Sequence, residues 1–81
     1  MLIQESLVRE IVAETLEIDQ SIILKESLLS EDLGMDSIDL VELLVKLEDK
    51  TGFEIQADEL ASVSTFQDVL SFLQSFNRAE A

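Results

Sequence analysis

Apolar residues recur at helical spacing along three stretches of this 81-residue chain. In the first, from Ile3 to Glu17, the stripe is Ile3, Leu7 and Ile11, with Val8 and Val12 beside it and Leu16 extending it. Steps of three and four residues place such side chains on one face of a helix. Glu5 and Arg9 stand four apart in the favourable order, an ion pair worth about 0.2–0.5 kcal/mol on a helix surface. Asp19 and Ser21 then break the period. Between Ile18 and Met35 apolar residues fall at 18, 22, 23, 24, 28, 29, 33 and 35 with no sustained repeat. This predicts a long loop with room for one helical turn, pinned to the core by Leu24, Leu28 and Leu33. A loop of that length in a small protein is well packed or functional.

Asp36 or Ser37 can cap the next helix, which runs to about Lys50 and stops at Gly52, a residue suited to the left-handed turn that ends helices. Its predicted stripe is Leu40, Leu44 and Leu47, with Val41 and Val45 beside it. Phe53-Glu54-Ile55 alternates like a strand but has no second strand to pair with, so it reads as an extended connection burying Phe53 and Ile55. Asp58 to Ser62 supplies a short helical turn. Ser64-Thr65-Phe66-Gln67 fits a capping box with Ser64 as cap and Gln67 three residues on. Phe66, Val69, Leu70, Leu73 and Phe76 then mark a last amphipathic helix. The predicted fold is all-α: a small four-helix bundle of three main helices and one short one, with a long loop after the first helix. Nothing marks an internal boundary, so residues 1–81 read as a single domain.

Charge changes the picture of the surface rather than of the core. Eighteen acidic residues against five basic ones, with no histidine, give a formal charge of −13. A disordered acidic tail is poor in branched aliphatic residues, whereas this chain is 47% hydrophobic with no proline. The reading is a folded domain with a very acidic exterior, weakened by self-repulsion at low salt. Nucleic acid is excluded as a partner, and stable association with an anionic membrane is disfavoured for the same reason. A partner with a basic docking patch is favoured. The start, Met1-Leu2-Ile3-Gln4-Glu5, lacks the basic region and continuous apolar run of a signal peptide; a cytoplasmic or organelle-matrix setting follows, and the cytoplasm is expected.

The candidate chemistry lies in Asp32-Leu33-Gly34-Met35-Asp36-Ser37-Ile38-Asp39-Leu40-Val41-Glu42-Leu43-Leu44. Here a serine stands at or just before a helix start, following a glycine that permits a tight approach. A phosphate on such a serine would meet free amides of the helix terminus, although the carboxylates at 32, 36, 39 and 42 would repel it. A hydrolase nucleophile is excluded for want of a histidine, a cysteine or an arranged lysine to activate the hydroxyl. The acidic spacing also fails as a calcium loop, and no built metal site is indicated. On these residues alone, Asp36-Ser37 reads equally as a plain helix cap.

The same segment resembles the phosphopantetheine attachment motif of the acyl carrier proteins, and the resemblance runs from Val8-Arg9-Glu10-Ile11 through Phe72-Leu73. Leu47-Glu48-Asp49-Lys50-Thr51-Gly52-Phe53-Glu54-Ile55 is similar to the helix end and connection of that family. The resemblance implies that Ser37 carries a 4′-phosphopantetheine arm delivered from coenzyme A by a phosphopantetheinyl transferase that reads Asp36. It implies a carrier, not an enzyme, in which the thiol of the arm holds the acyl group. A chain without cysteine is compatible with that role. It further implies that the second helix meets the basic docking patches of acyl-transferring, condensing or modifying enzymes. Asp39, Glu42, Glu48 and Asp49 would supply the carboxylates for this, and Ile38, Val41 and Val45 the short-range apolar contact. A monomer is expected.

In that family the cargo can fold back among the helices, for which Leu40, Leu44, Leu47, Phe53, Ile55 and Leu60 are the expected lining. Four departures from the family pattern stand out. Leu40 replaces a common threonine, Lys46 a common small apolar residue, Glu17 a common glycine, and Gln56-Ala57 a proline-containing connection. They leave a specialised carrier for polyketide, lipid-modifying or other secondary acyl chemistry open beside fatty-acid synthesis. An acidic helical adaptor with no use for Ser37 is the reading outside the carrier class.

Overall fold

The computed structural model describes residues 4–80, with side chains through Ser75. Among the described residues there are four α-helices: α1 (Glu5–Leu16), α2 (Ser37–Thr51), the short α3 (Ala57–Ala61) and α4 (Phe66–Glu80). A single 3-10 turn, Gln20–Ile22, is the helical turn expected in the long loop. Among the described residues there is no strand, and the fold is the all-α arrangement predicted. One isolated bridge, between Leu28 and Thr65, is the only β-type pairing among them. Ile3 and the side chain of Phe76, both expected in stripes, lie outside the described residues.

All four helices and the loop contribute to one core. Val8 and Val12 of α1, Leu43 and Leu47 of α2, Leu60 of α3, and Phe66, Val69 and Leu73 of α4 are fully buried. The stripe of α2 is therefore centred on Leu43 and Leu47. Leu40 and Leu44, expected at its centre, are half-buried flanks, and Val41 and Val45 face solvent. The loop corrects a second expectation: Leu33 is buried, but Leu24 is 54% exposed, and Ile23 and Leu29 hold the loop to the core. Ile22 ends the 3-10 turn and Ile23 and Leu24 leave it, so the end of the turn decides which of the three faces inward, and an aperiodic run cannot reveal that.

The ends of the helices follow local chemistry. α1 ends in a left-handed residue, Glu17 (φ 56, ψ 47), and the Ile18 N–H closes on the Ala13 carbonyl at 3.0 Å. Gly52 ends α2 at φ 77, where its N–H reaches the Glu48 carbonyl at 2.8 Å. α4 is capped one residue later than predicted. Thr65 Oγ1 accepts the Asp68 N–H at 3.1 Å, and the Asp68 carboxylate accepts the Thr65 and Ser64 N–H groups, both at 3.1 Å. Ser64 and Gln67 fit the same motif, but an ionised carboxylate is the stronger acceptor for a pair of amides.

The long loop is stitched to the start of α4 along its main chain. Leu29 N–H donates to the Ser64 carbonyl (2.9 Å), Phe66 N–H to Ser27 (3.1 Å) and Gln67 N–H to Lys25 (2.9 Å). Arg9 reinforces this junction from α1: its Nη1 pairs with Glu5 at 2.7 Å and its Nε donates to the Ile23 carbonyl at 3.3 Å.

Candidate functional site

The chain approaches α2 through a fixed turn. Gly34 takes φ 76, and its N–H donates to the Ser30 carbonyl at 3.2 Å. A Cβ at Gly34 would meet nothing within 4 Å, so the backbone conformation, not crowding, favours glycine there. Met35 N–H then donates to the Leu29 carbonyl at 2.9 Å. These bonds hold the segment against the loop and present Asp36 in extended geometry at the helix start.

Of the two candidate caps, the structure selects Asp36. Its carboxylate accepts the Asp39 N–H at 2.9 Å, and the Asp39 carboxylate accepts the Asp36 N–H at 3.2 Å. This reciprocal box leaves Ser37 as the first helical residue, exposed and relieved of any capping duty. No hydrogen bond engages the Ser37 hydroxyl among the described residues, and the Ser37 and Ile38 amides have no protein acceptor. The hydroxyl therefore lies beside unpaired N–H groups at a helix N-terminus, the arrangement that suits a phosphodiester joined to that oxygen.

A pocket of about 370 Å³ borders Asp36 and Ser37. Leu28 and Leu29 wall it from the loop, Met35 and Leu40 from around the start of α2, and Leu60, Ala61 and Val63 from α3 and its exit. Ser30, Glu31 and Ser64 add polar lining. Of the six residues expected to line an interior cargo site, Leu40 and Leu60 are found here. Leu44, Leu47, Phe53 and Ile55 belong instead to the packed core or its edge. Leu28, Leu29, Met35 and Val63 were missed because they sit in aperiodic segments, where no repeat reveals a shared face.

The outer face of α2 carries Ile38, Val41 and Val45 at 69, 59 and 58% exposure, with Glu42 exposed among them. Their spacing of three, four and seven residues makes one continuous strip. Asp49 is also exposed, whereas the other two candidate carboxylates have internal partners. Asp39 is held in the capping box, and half-buried Glu48 accepts the Ile55 N–H through Oε2 at 3.1 Å. Lys46 turns toward α1, its Nζ 3.5 Å from a Glu14 carboxylate oxygen. No cluster of three or more His, Cys, Asp or Glu residues that could hold a metal ion occurs among the described residues. No described helix is long and apolar enough to cross a membrane.

Comparison with known proteins bears on this site. A family model described as a phosphopantetheine attachment site matches residues 6–73. The chain is 41% identical over 68 residues to an acyl carrier protein of Thermosynechococcus vestitus, with 84% of each chain covered. It is 38% identical over 71 residues to one of Campylobacter concisus, covering 88% of this chain and 92% of that one. Among solved structures, a Mycobacterium tuberculosis protein assigned as an acyl carrier protein superposes with a TM-score of 0.81 at 26% identity. That match covers 89% of this chain and 96% of the other.

Proposed function

The chain belongs to the acyl carrier proteins, and on that footing we propose that Ser37 bears the arm on which acyl intermediates travel to the enzymes of fatty-acid synthesis. The cofactor is covalent 4′-phosphopantetheine. When attached, it supplies the terminal thiol that holds the acyl group as a thioester. The observation that carries the assignment to Ser37 is its exposed hydroxyl, free of hydrogen bonds because Asp36 caps the helix in its place.

Each neighbouring residue has a definite task in this reading. Ser37 Oγ becomes an ester oxygen of the phosphodiester, and the Ser37 and Ile38 amides stand ready to donate to the phosphate. Asp36 fixes the helix start and presents a carboxylate to the transferase. Glu42 and Asp49 steer basic patches of partner enzymes, with Asp39 and Glu48 adding charge from fixed positions. Ile38, Val41 and Val45 add apolar contact once encounter has occurred. The pocket shelters the proximal part of the cargo. Residues 1–81 act as a single, monomeric carrier domain in the cytoplasm, and the chemistry on the cargo is performed by the partners. A specialised carrier is the second reading, favoured by Leu40, whose bulk occupies the pocket wall beside Ser37.

Incubation with coenzyme A and a phosphopantetheinyl transferase of broad range, read by intact mass, tests the site. The wild type gains the mass of one arm and Ser37→Ala gains none. No gain on the wild type, or the same gain on Ser37→Ala, overturns the assignment.

A further inference from the structure

We propose that Leu40, together with Met35, sets the longest acyl chain this carrier shelters, at a short or medium length. The inference deepens the carrier reading above and rests on it. Ser37 and Leu40 are three residues apart on α2 and share a face. Leu40 lines the pocket and is packed against the core, so a bulky aliphatic wall stands one turn from the attachment oxygen. Met35 lines the same pocket on the other side of Ser37 in sequence, with its main chain fixed by the Leu29 carbonyl at 2.9 Å. Its unbranched thioether side chain adapts to a chain that enters but still occupies volume.

The remaining walls do not recede easily. Leu28 and Leu29 lie on the loop that is stitched to α4, and Leu29 itself is bound to Ser64 at 2.9 Å. Leu60 is fully buried, so a chain pushed past it must displace close-packed core. The volume of about 370 Å³ lies near the small end of the roughly 300–1,000 Å³ typical of small-molecule sites. Part of it is bordered by Ser30, Glu31 and Ser64, which favour water over methylenes.

The test loads the full chain at Ser37 with a series from acetyl to palmitoyl, using the corresponding acyl-coenzyme A and the transferase. Intact mass confirms each product before its melting temperature is measured. In the wild type the melting temperature rises with chain length and levels off at medium chains. Leu40→Ala moves the levelling point to chains longer by about two carbons or more, because the side chain removed leaves that much wall. Leu40→Phe moves it to shorter chains, and carries the test alone if Leu40→Ala does not fold. Leu44→Ala, at a half-buried leucine outside the pocket, lowers every melting temperature without moving the levelling point. Loaded proteins whose melting temperature ignores chain length, or whose levelling point is the same in the wild type and both Leu40 variants, overturn the proposal and leave the carrier reading intact. Failure of the wild type to load overturns the carrier reading and the proposal with it.

Discussion

The Arg9 guanidinium lies over the ring of Phe66, its carbon 4.9 Å from the ring centroid. Because the same group also pairs with Glu5 and donates to the Ile23 carbonyl, it joins α1, the long loop and the start of α4 at one point. Its side chain is only 23% exposed, so these contacts are partly shielded from water. Arg9→Ala is expected to lower stability by about 1–2 kcal/mol, from a cation–π contact and a charged hydrogen bond together. Arg9→Lys should recover only part, since an ammonium cannot reproduce the planar guanidinium's several directed contacts. Urea unfolding midpoints of the three proteins decide it.

Glu17 holds a left-handed conformation that glycine adopts without strain. Its carboxylate also adds negative charge at the C-terminal end of α1, where the helix dipole is already negative. Glu17→Gly should therefore stabilise the fold by about 0.5–1 kcal/mol, despite the greater freedom of glycine in the unfolded chain. A lower melting temperature for the variant would contradict this.

The N–H groups of Thr65 and Ser64, donating to the Asp68 carboxylate, hold that carboxyl below its ordinary value of 3.8. A depressed folded-state pKa adds stability that is complete above the unfolded value and is lost as pH falls through the folded one. The stability difference between wild type and Asp68→Ala should thus stay constant from neutral pH down to about pH 5 and shrink below it. Asp68→Asn keeps a carbonyl acceptor that does not titrate, so its difference from Asp68→Ala should persist in acid. Denaturant midpoints across pH supply both comparisons.

Glu42 stands exposed within the apolar strip of Ile38, Val41 and Val45. Glu42→Lys is expected to slow association with a basic partner enzyme by roughly 3–10-fold at low salt and to flatten the dependence of that rate on ionic strength. An association rate as salt-sensitive as the wild type's would show that this face does not steer encounter.

The elements were readable because each helix repeats its own short period, and Gly52 stops α2 by a purely local preference. The segment around Ser37 was readable for the same reason, since helix start, glycine and serine are neighbours in the chain. What escaped were choices made by distant contacts. Leu43 rather than Leu44 centres the α2 face because the core lies on that side, and two adjacent leucines look alike in sequence. Thr65 and Asp68 displace the equally well-formed Ser64 and Gln67 pattern, and Thr65 is also the residue bridged to Leu28. Lys46 reads as a positive charge on the docking helix, yet it turns to Glu14 across the helix pair. Likewise the pocket draws on loop, α2 and α3 residues that share no period.

The stitch between the loop and α4 has a kinetic meaning. Its hydrogen bonds join residues more than thirty positions apart, such as Leu29 and Ser64, whereas each helix closes on neighbours. Segments of that separation must surrender their chain freedom before any bond rewards them. Closing the stitch therefore costs more chain entropy than closing a helical turn, a cost that slows folding. Since Leu28 and Leu29 are carried by it, the pocket beside Ser37 is complete only where that seam is closed, so the rate at which the seam forms bounds the rate at which the pocket does.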